Sequence, residues 1–170
     1  MRYLLDTSVL SEAAKPDPRT WGATCPCEVV VRYLLDTSVL SEAAKPDADE
    51  GVARFLAETP PLELALSVLT VGEIRRGIRL LDPGRKRRRL EEWLSVSLLR
   101  QFTGRVLPVD EAVSLAWGRL SADARRAGQS LPVIDGLLLA TAEVHDLTLV
   151  TRNEHDCADR GVPVLNPWNG

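Results

Sequence analysis

The chain has 170 residues, 45% of them hydrophobic and 26% charged, with a formal net charge of -3. That suffices for one domain with a sizeable core, and no apolar run reaches the roughly 18 residues a membrane-spanning helix needs. The opening MRYLLDTSVLSEAAKPD lacks a basic start followed by a long apolar stretch, so no secretory leader is expected. Three cysteines, two of them in Cys25-Pro26-Cys27, make neither a disulfide framework nor paired metal knuckles. A reduced, cytoplasmic protein is expected.

Sixteen residues, RYLLDTSVLSEAAKPD, occur twice without a change, at 2–17 and 32–47. Two units are too few for a solenoid, and the intervening PRTWGATCPCEVV has no periodicity and reads as linker. If the first copy built the fold, some thirty residues carrying a second apolar LLDTSVL would bulge between two elements. That costs loop-closure entropy and exposes apolar side chains. The second copy is therefore expected to enter the fold, with 1–30 as a tail, 31–170 as the domain, and Asp36 rather than Asp6 in any site.

From Val31 onward, strand-like and helix-like runs alternate. A buried strand over Arg32–Asp36 precedes a short helix, Thr37–Lys45, stopped by Pro46. The next helix, Asp49–Glu58, sets Val52, Phe55 and Leu56 on one face. A strand at Leu64–Val68 and a helix at Thr70–Leu81 follow. Pro83 opens a helix whose Leu90, Trp93, Leu94, Leu98 and Leu99 recur at three- and four-residue spacing. A strand at Arg105–Val109 leads to a helix capped by Asp110, running to about Ala127 and closed by Gly128. Pro132 introduces a helix over Val133–His145, and Leu147–Val150 is a strand. A turn and short helix lie near Asn153–Asp159, and Val162–Leu165 is the last strand. Such alternation predicts an α/β domain, a parallel sheet flanked by helices on both faces. Ligands of such sheets bind beyond the carboxyl ends of the strands.

Four acids stand out by their setting. Asp36 ends the first strand in LLDTSVL. Glu73 is expected in the first turn of its helix in SVLTVGEIRRG. Asp135 lies in the apolar PVIDGLLLATA, and Asp156 follows the fourth strand in TLVTRNEHD. Taken singly, acids at helix starts are often only caps or dipole partners. Converging carboxylates repel unless a cation lies between them, and an all-oxygen set suits Mg²⁺ or Mn²⁺. His145 and His155 show no zinc-ligand spacing, and there is no G-x-S-x-G elbow, Walker A loop or GxGxxG. Between Arg75 and Arg105 stand ten basic residues against three acids. A solvated helix face explains that run as readily as an anionic partner does, though arginine suits phosphate. Trp93 and Trp117 sit at helical core spacing and read as core.

LLDTSVL, SVLTVGEIRRGI, RVLPVDEAVSLAWGRL, PVIDGLLLATA, TLVTRNEHD and GVPVLNPW resemble, in order and spacing, the PIN-domain ribonuclease toxins of bacterial type II toxin–antitoxin pairs, the VapC/FitB-like group. The resemblance spans 31–170. It implies a parallel sheet flanked by helices and a metal-dependent endoribonuclease that leaves a 5′-phosphate and a 3′-hydroxyl. Asp36, Glu73, Asp135 and Asp156 would be its catalytic and Mg²⁺-binding acids. Ser38 stands where the family often has Asn, and His155, Asp156 and Cys157 stand where it often has RDF. Thr37, Ser38, Arg152 and Asn153 are expected to support the acids, and Arg75, Arg76 and Arg79 to grip RNA phosphates. The resemblance also implies a homodimer and a cognate antitoxin, and the lack of a long apolar run leaves no membrane partner expected.

Two enzyme rivals lack their residues: Ser38 replaces the second Asp of a D-x-D phosphatase, and no lysine follows Lys86 for a receiver domain. The rival from another class is a non-catalytic member that binds RNA or antitoxin only.

Overall fold

A computed structural model describes residues 30–157 and 160–169. The first copy of the repeat, the tail expected over 1–30 but for its last residue, and Asp159 lie outside the described residues. The second copy forms the first strand, β1 (Tyr33–Leu35), and the first helix, α1 (Thr37–Ala43). Then come α2 (Glu50–Glu58), β2 (Leu64–Ser67), α3 (Val68–Arg79) and α4 (Arg85–Glu92). A π-helical stretch, Trp93–Leu98, joins α4 to the short α5 (Leu99–Gln101). The chain continues through β3 (Val106–Leu107), α6 (Glu111–Arg126), α7 (Val133–Val144), β4 (Thr148–Val150), α8 (Glu154–Cys157) and β5 (Val164–Leu165).

The five strands are all parallel, in the order β3-β2-β1-β4-β5. The chain winds outward from β1 to one edge, then returns to β4 on the other side of β1. The switch point therefore lies between β1 and β4, where Leu35 pairs with Val150. Strand alternation divides the core. Leu34, Ala65 and Leu149 face α6 and α7 through Val113, Leu120, Leu138 and Leu139. Leu35, Leu66 and Val150 face Val39, Val52, Ile78, Trp93, Leu94 and Leu98 on the opposite side. Each fully buried leucine contributes about 2–3 kcal/mol, and helices cover both faces as expected. Trp93 and Trp117 are core side chains, one in each layer.

Several boundaries differ from the sequence expectations, each for a local reason. β3 stops at Leu107 because Pro108 has no N–H to offer the ladder. β5 shrinks to Val164–Leu165 behind Pro163. α3 begins at Val68, two residues early, because the Ser67 hydroxyl accepts the Leu69 N–H at 3.2 Å and caps it. Glu73 is consequently in the second turn, not the first, and its role as a dipole partner lapses. The helix expected from Pro83 is interrupted by the π-helical stretch, where the apolar spacing stays on one face but the hydrogen bonding does not. Asp110 does cap α6, accepting from Val113 N at 2.9 Å, and Gly128 closes it at φ +69°.

Candidate active site

Asp36 leaves β1 in extended conformation and caps α1. Its N–H donates to the Val150 carbonyl at 3.0 Å, which ties it across the switch point to β4. One carboxylate oxygen accepts the Thr37 N–H at 2.6 Å. The other accepts two hydroxyls, Ser38 at 2.7 Å and Thr151 at 2.8 Å. Each hydroxyl is itself oriented by the backbone after β4: Arg152 N–H donates to Ser38, and Asn153 N–H donates to Thr151. Thr151 was not among the expected residues. Its position directly past the last apolar residue of β4 is the signal that points to it.

The remaining acids hang on the same frame. The Thr37 hydroxyl donates to Glu73 Oε2 at 2.6 Å, linking α1 to α3. The Asn153 amide donates to Asp156 at 2.8 Å and to Asp135 at 3.2 Å, linking α8 to the first turn of α7. The side chains of Thr37, Ser38 and Asn153 thus each donate to at least one of the four acids. Arg152 contributes only its backbone N–H there. Its guanidinium lies over the Trp168 ring, 5.6 Å from the centroid. All four acids are partly open to solvent.

Burial raises the Asp135 carboxyl above the ordinary aspartate range, and the charges of Asp36, Asp156 and Glu73 push it further, against the Asn153 hydrogen bond. That set of causes places the four acids in one electrostatic centre. Hard carboxylate oxygens at a solvent-open site fit Mg²⁺ or Mn²⁺ in chemistry. In geometry, no three acidic, histidine or cysteine side chains among the described residues stand close enough to hold one ion as they are. The hydroxyl of Thr37 and the amide of Asn153 occupy carboxylate oxygens that would have to turn toward it.

Arg75, Arg76 and Arg79 lie on the exposed side of α3, one to two turns past Glu73. Arg79 is 3.8 Å from Glu91, whereas no acid among the described residues pairs with Arg75 or Arg76. They are near the acids along the helix but not among them.

A doubly wound parallel sheet with four carboxylates at its switch point defines a class of acid-centred α/β domains. The match to known proteins narrows the class: the PIN domain profile covers residues 33–159, and the chain belongs to the PIN-domain family. It is 38% identical over 166 residues to the toxin FitB of Neisseria gonorrhoeae, an alignment covering 98% of each chain. It is 33% identical over 105 residues to the VapC ribonuclease Y4jK of Sinorhizobium fredii, covering 62% of this chain and 75% of the relative. The crystal structure of FitAcB from N. gonorrhoeae superposes with a TM-score of 0.78 at 38% identity, over 81% of this chain and 99% of that one. Among the described residues, no helix is long and apolar enough to cross a membrane.

Proposed function

We propose that this chain is the toxin of a type II toxin–antitoxin pair and acts as a metal-dependent endoribonuclease at the Asp36–Glu73–Asp135–Asp156 centre. The observation that carries the reading is the joining of those four acids through Thr37, Ser38, Thr151 and Asn153 at the β1–β4 switch point. Likeness to a toxin and to a VapC ribonuclease supports the substrate and the pairing with an antitoxin. A homodimer is part of the same proposal.

Asp36, Asp135 and Asp156 would hold Mg²⁺ or Mn²⁺, with Glu73 beside them. Bound there, the ion supplies positive charge against the carboxylates and the scissile phosphate. Asp36 is held by three donors and keeps its orientation. The Thr37 hydroxyl holds Oε2 of Glu73, which leaves Oε1 to take a proton from the attacking water. The water oxygen bonds to phosphorus, the P–O3′ bond breaks, and the departing 3′ oxygen is protonated from solvent. The Asn153 amide, donating to both, ties Asp135 to Asp156.

The deciding experiment is Mg²⁺-dependent cleavage of a structured RNA pool by the purified chain, run beside Asp36→Asn, Asp6→Asn and an EDTA blank. Cleavage should fall by about 10²–10³-fold in Asp36→Asn, vanish in EDTA and persist in Asp6→Asn. Loss in Asp6→Asn with survival in Asp36→Asn would move the site to the first copy of the repeat. No cleavage by the folded, antitoxin-free chain would leave a protein that only binds.

A further inference from the structure

Five consecutive cations, Arg85, Lys86, Arg87, Arg88 and Arg89, make up most of α4. Physically those at the start of the helix are in the wrong place. A helix N-terminus carries positive charge and favours acids, yet the first turn of α4 holds none, and Gly84 caps it with no side-chain hydrogen bond. Arg85 with Arg89 and Arg85 with Arg88 are like-charge pairs at helical spacing, each unfavourable. Arg87 is the exception, because it is half-buried and donates to Glu91 at 3.3 Å. Arg85, Lys86, Arg88 and Arg89 are exposed, with no acid among the described residues in ion-pair reach. Cations in the first turn of a helix and like-charge pairs along it, four of the five without an acid in reach, are arranged for something outside the fold.

We propose that this ridge is a second phosphate-binding surface, which holds the RNA backbone beyond the acidic centre. The inference rests on the ribonuclease reading and names where its substrate lies. α3 and α4 pack together, and Glu91 of α4 is shared by Arg87 and by Arg79 of α3. From Glu73 to Arg79 is about 9 Å along the α3 axis. That is roughly three nucleotides of a stacked strand at ~3.4 Å each. Arg75, Arg76 and Arg79 share one face of α3 by their three- and four-residue spacing, so they bridge the acids to the ridge. Pro83 and Gly84 of the turn before α4, with Arg87, Arg88 and Glu91 of α4 itself, line an open groove of about 500 Å³. Four of the five cations are arginines, whose planar forks match phosphate oxygens in pairs. An acidic peptide would also be attracted, but it would have no reason to continue toward four carboxylates. A nucleic-acid strand must reach them, because its cleaved phosphate lies there.

The test is fluorescence anisotropy with a fluorescein-labelled RNA hairpin in EDTA, where no cleavage occurs. Wild type is compared with R85Q/K86Q/R88Q/R89Q, and labelled poly-glutamate is a second probe. Neutralising four phosphate contacts should weaken RNA binding about tenfold or more and flatten the slope of log Kd against log salt by about 3. An R85K/R88K/R89K variant keeps the charge, so its salt slope should stay at the wild-type value while affinity falls less. Unchanged RNA affinity and slope in the glutamine variant overturn the proposal. Unchanged RNA binding with lost poly-glutamate binding overturns it in favour of an acidic polypeptide. A parallel Mg²⁺ cleavage assay separates the two readings. Variant-sensitive binding without cleavage by wild type keeps the ridge and removes the ribonuclease. Cleavage with variant-insensitive binding does the reverse.

Discussion

At the carboxyl end of β1, four acids share the hydroxyls of Thr37, Ser38 and Thr151 and the amide of Asn153. One helix away, α4 carries five cations, of which only Arg87 pairs with an acid among the described residues, Glu91. Both regions concentrate one sign of charge, and they handle the resulting repulsion in different ways. The acids are fixed by neutral donors that come from the backbone turns after β1 and β4. Their positions are set before any ligand arrives, and burial first, then the remaining repulsion, raises the Asp135 carboxyl. The cations rely on exposure, since water screens them at no structural expense. A reacting phosphate needs the first arrangement, because its geometry must be held. A phosphate backbone that is merely gripped needs only the second.

The largest expected effect breaks the first arrangement without touching an acid. Ser38→Ala with Thr151→Val removes both hydroxyls from one oxygen of Asp36. Cleavage should fall by about 10–100-fold, as for other residues that orient a ligating group. Circular dichroism should show a folded domain, because each lost hydrogen bond costs only about 1 kcal/mol. Undiminished cleavage would mean that Asp36 is placed by its backbone cap alone.

Next in size is the removal of a charge that burial, and then its acidic neighbours, disfavour. Asp135 has a native pKa above its unfolded value, so its ionised form destabilises the fold at neutral pH. This contribution improves as pH falls through the native pKa and levels off below the unfolded one. Asp135→Asn removes the charge, so it should raise Tm at pH 7 by about 2 °C, a small figure because water screens a partly exposed group. It should also delete that part of the gain seen in wild type toward about pH 5. Paired melts at both pH values, with cleavage abolished in the variant, would show stability given up for function. A lower Tm in the variant would show that the Asn153 hydrogen bond outweighs the repulsion.

Smaller still is the matching change on the ridge. R85Q/K86Q/R88Q/R89Q should raise Tm by about 1–2 °C at low salt, from like-charge pairs worth about 0.2–0.5 kcal/mol each. Near 0.5 M NaCl the gain should disappear, since exposed charges are then screened. A gain that persists at high salt would point to helix propensity, not charge.

What the sequence made legible follows the range of each interaction. Strands and helices show in local apolar spacing, and all but their ends were readable, with Pro108 and Pro163 trimming two strands. Asp36 stood out because it ends an apolar run, Asp135 because it lies inside one, and Glu73 and Asp156 because each follows a strand. Their linkage was not readable, since Thr151 and Asp36 are 115 residues apart and Thr37 and Glu73 are 36 apart. No local pattern encodes such a pair; the strand order brings it together. The π-helical stretch was equally hidden, because the side-chain spacing of Trp93, Leu94 and Leu98 suits an α-helix as well.

The smallest expected effect concerns Cys157, at the end of α8 one residue past Asp156. It is 1% exposed, and its thiol is pushed up to about 12, first by burial and then by Asp135, Asp36 and Asp156, with Arg160 pulling the other way. Only a thiolate reacts readily with iodoacetamide, so native Cys157 should stay unlabelled near pH 8. Because burial is the larger cause, Asp135→Asn should leave that protection in place, and labelling should appear only when the domain opens in denaturant. Peptide mapping by mass spectrometry separates Cys157 from Cys25 and Cys27. Faster labelling of Cys157 in folded Asp135→Asn would reverse the ranking: the field of the acidic centre, more than packing around α8, would then be what keeps the thiol protonated.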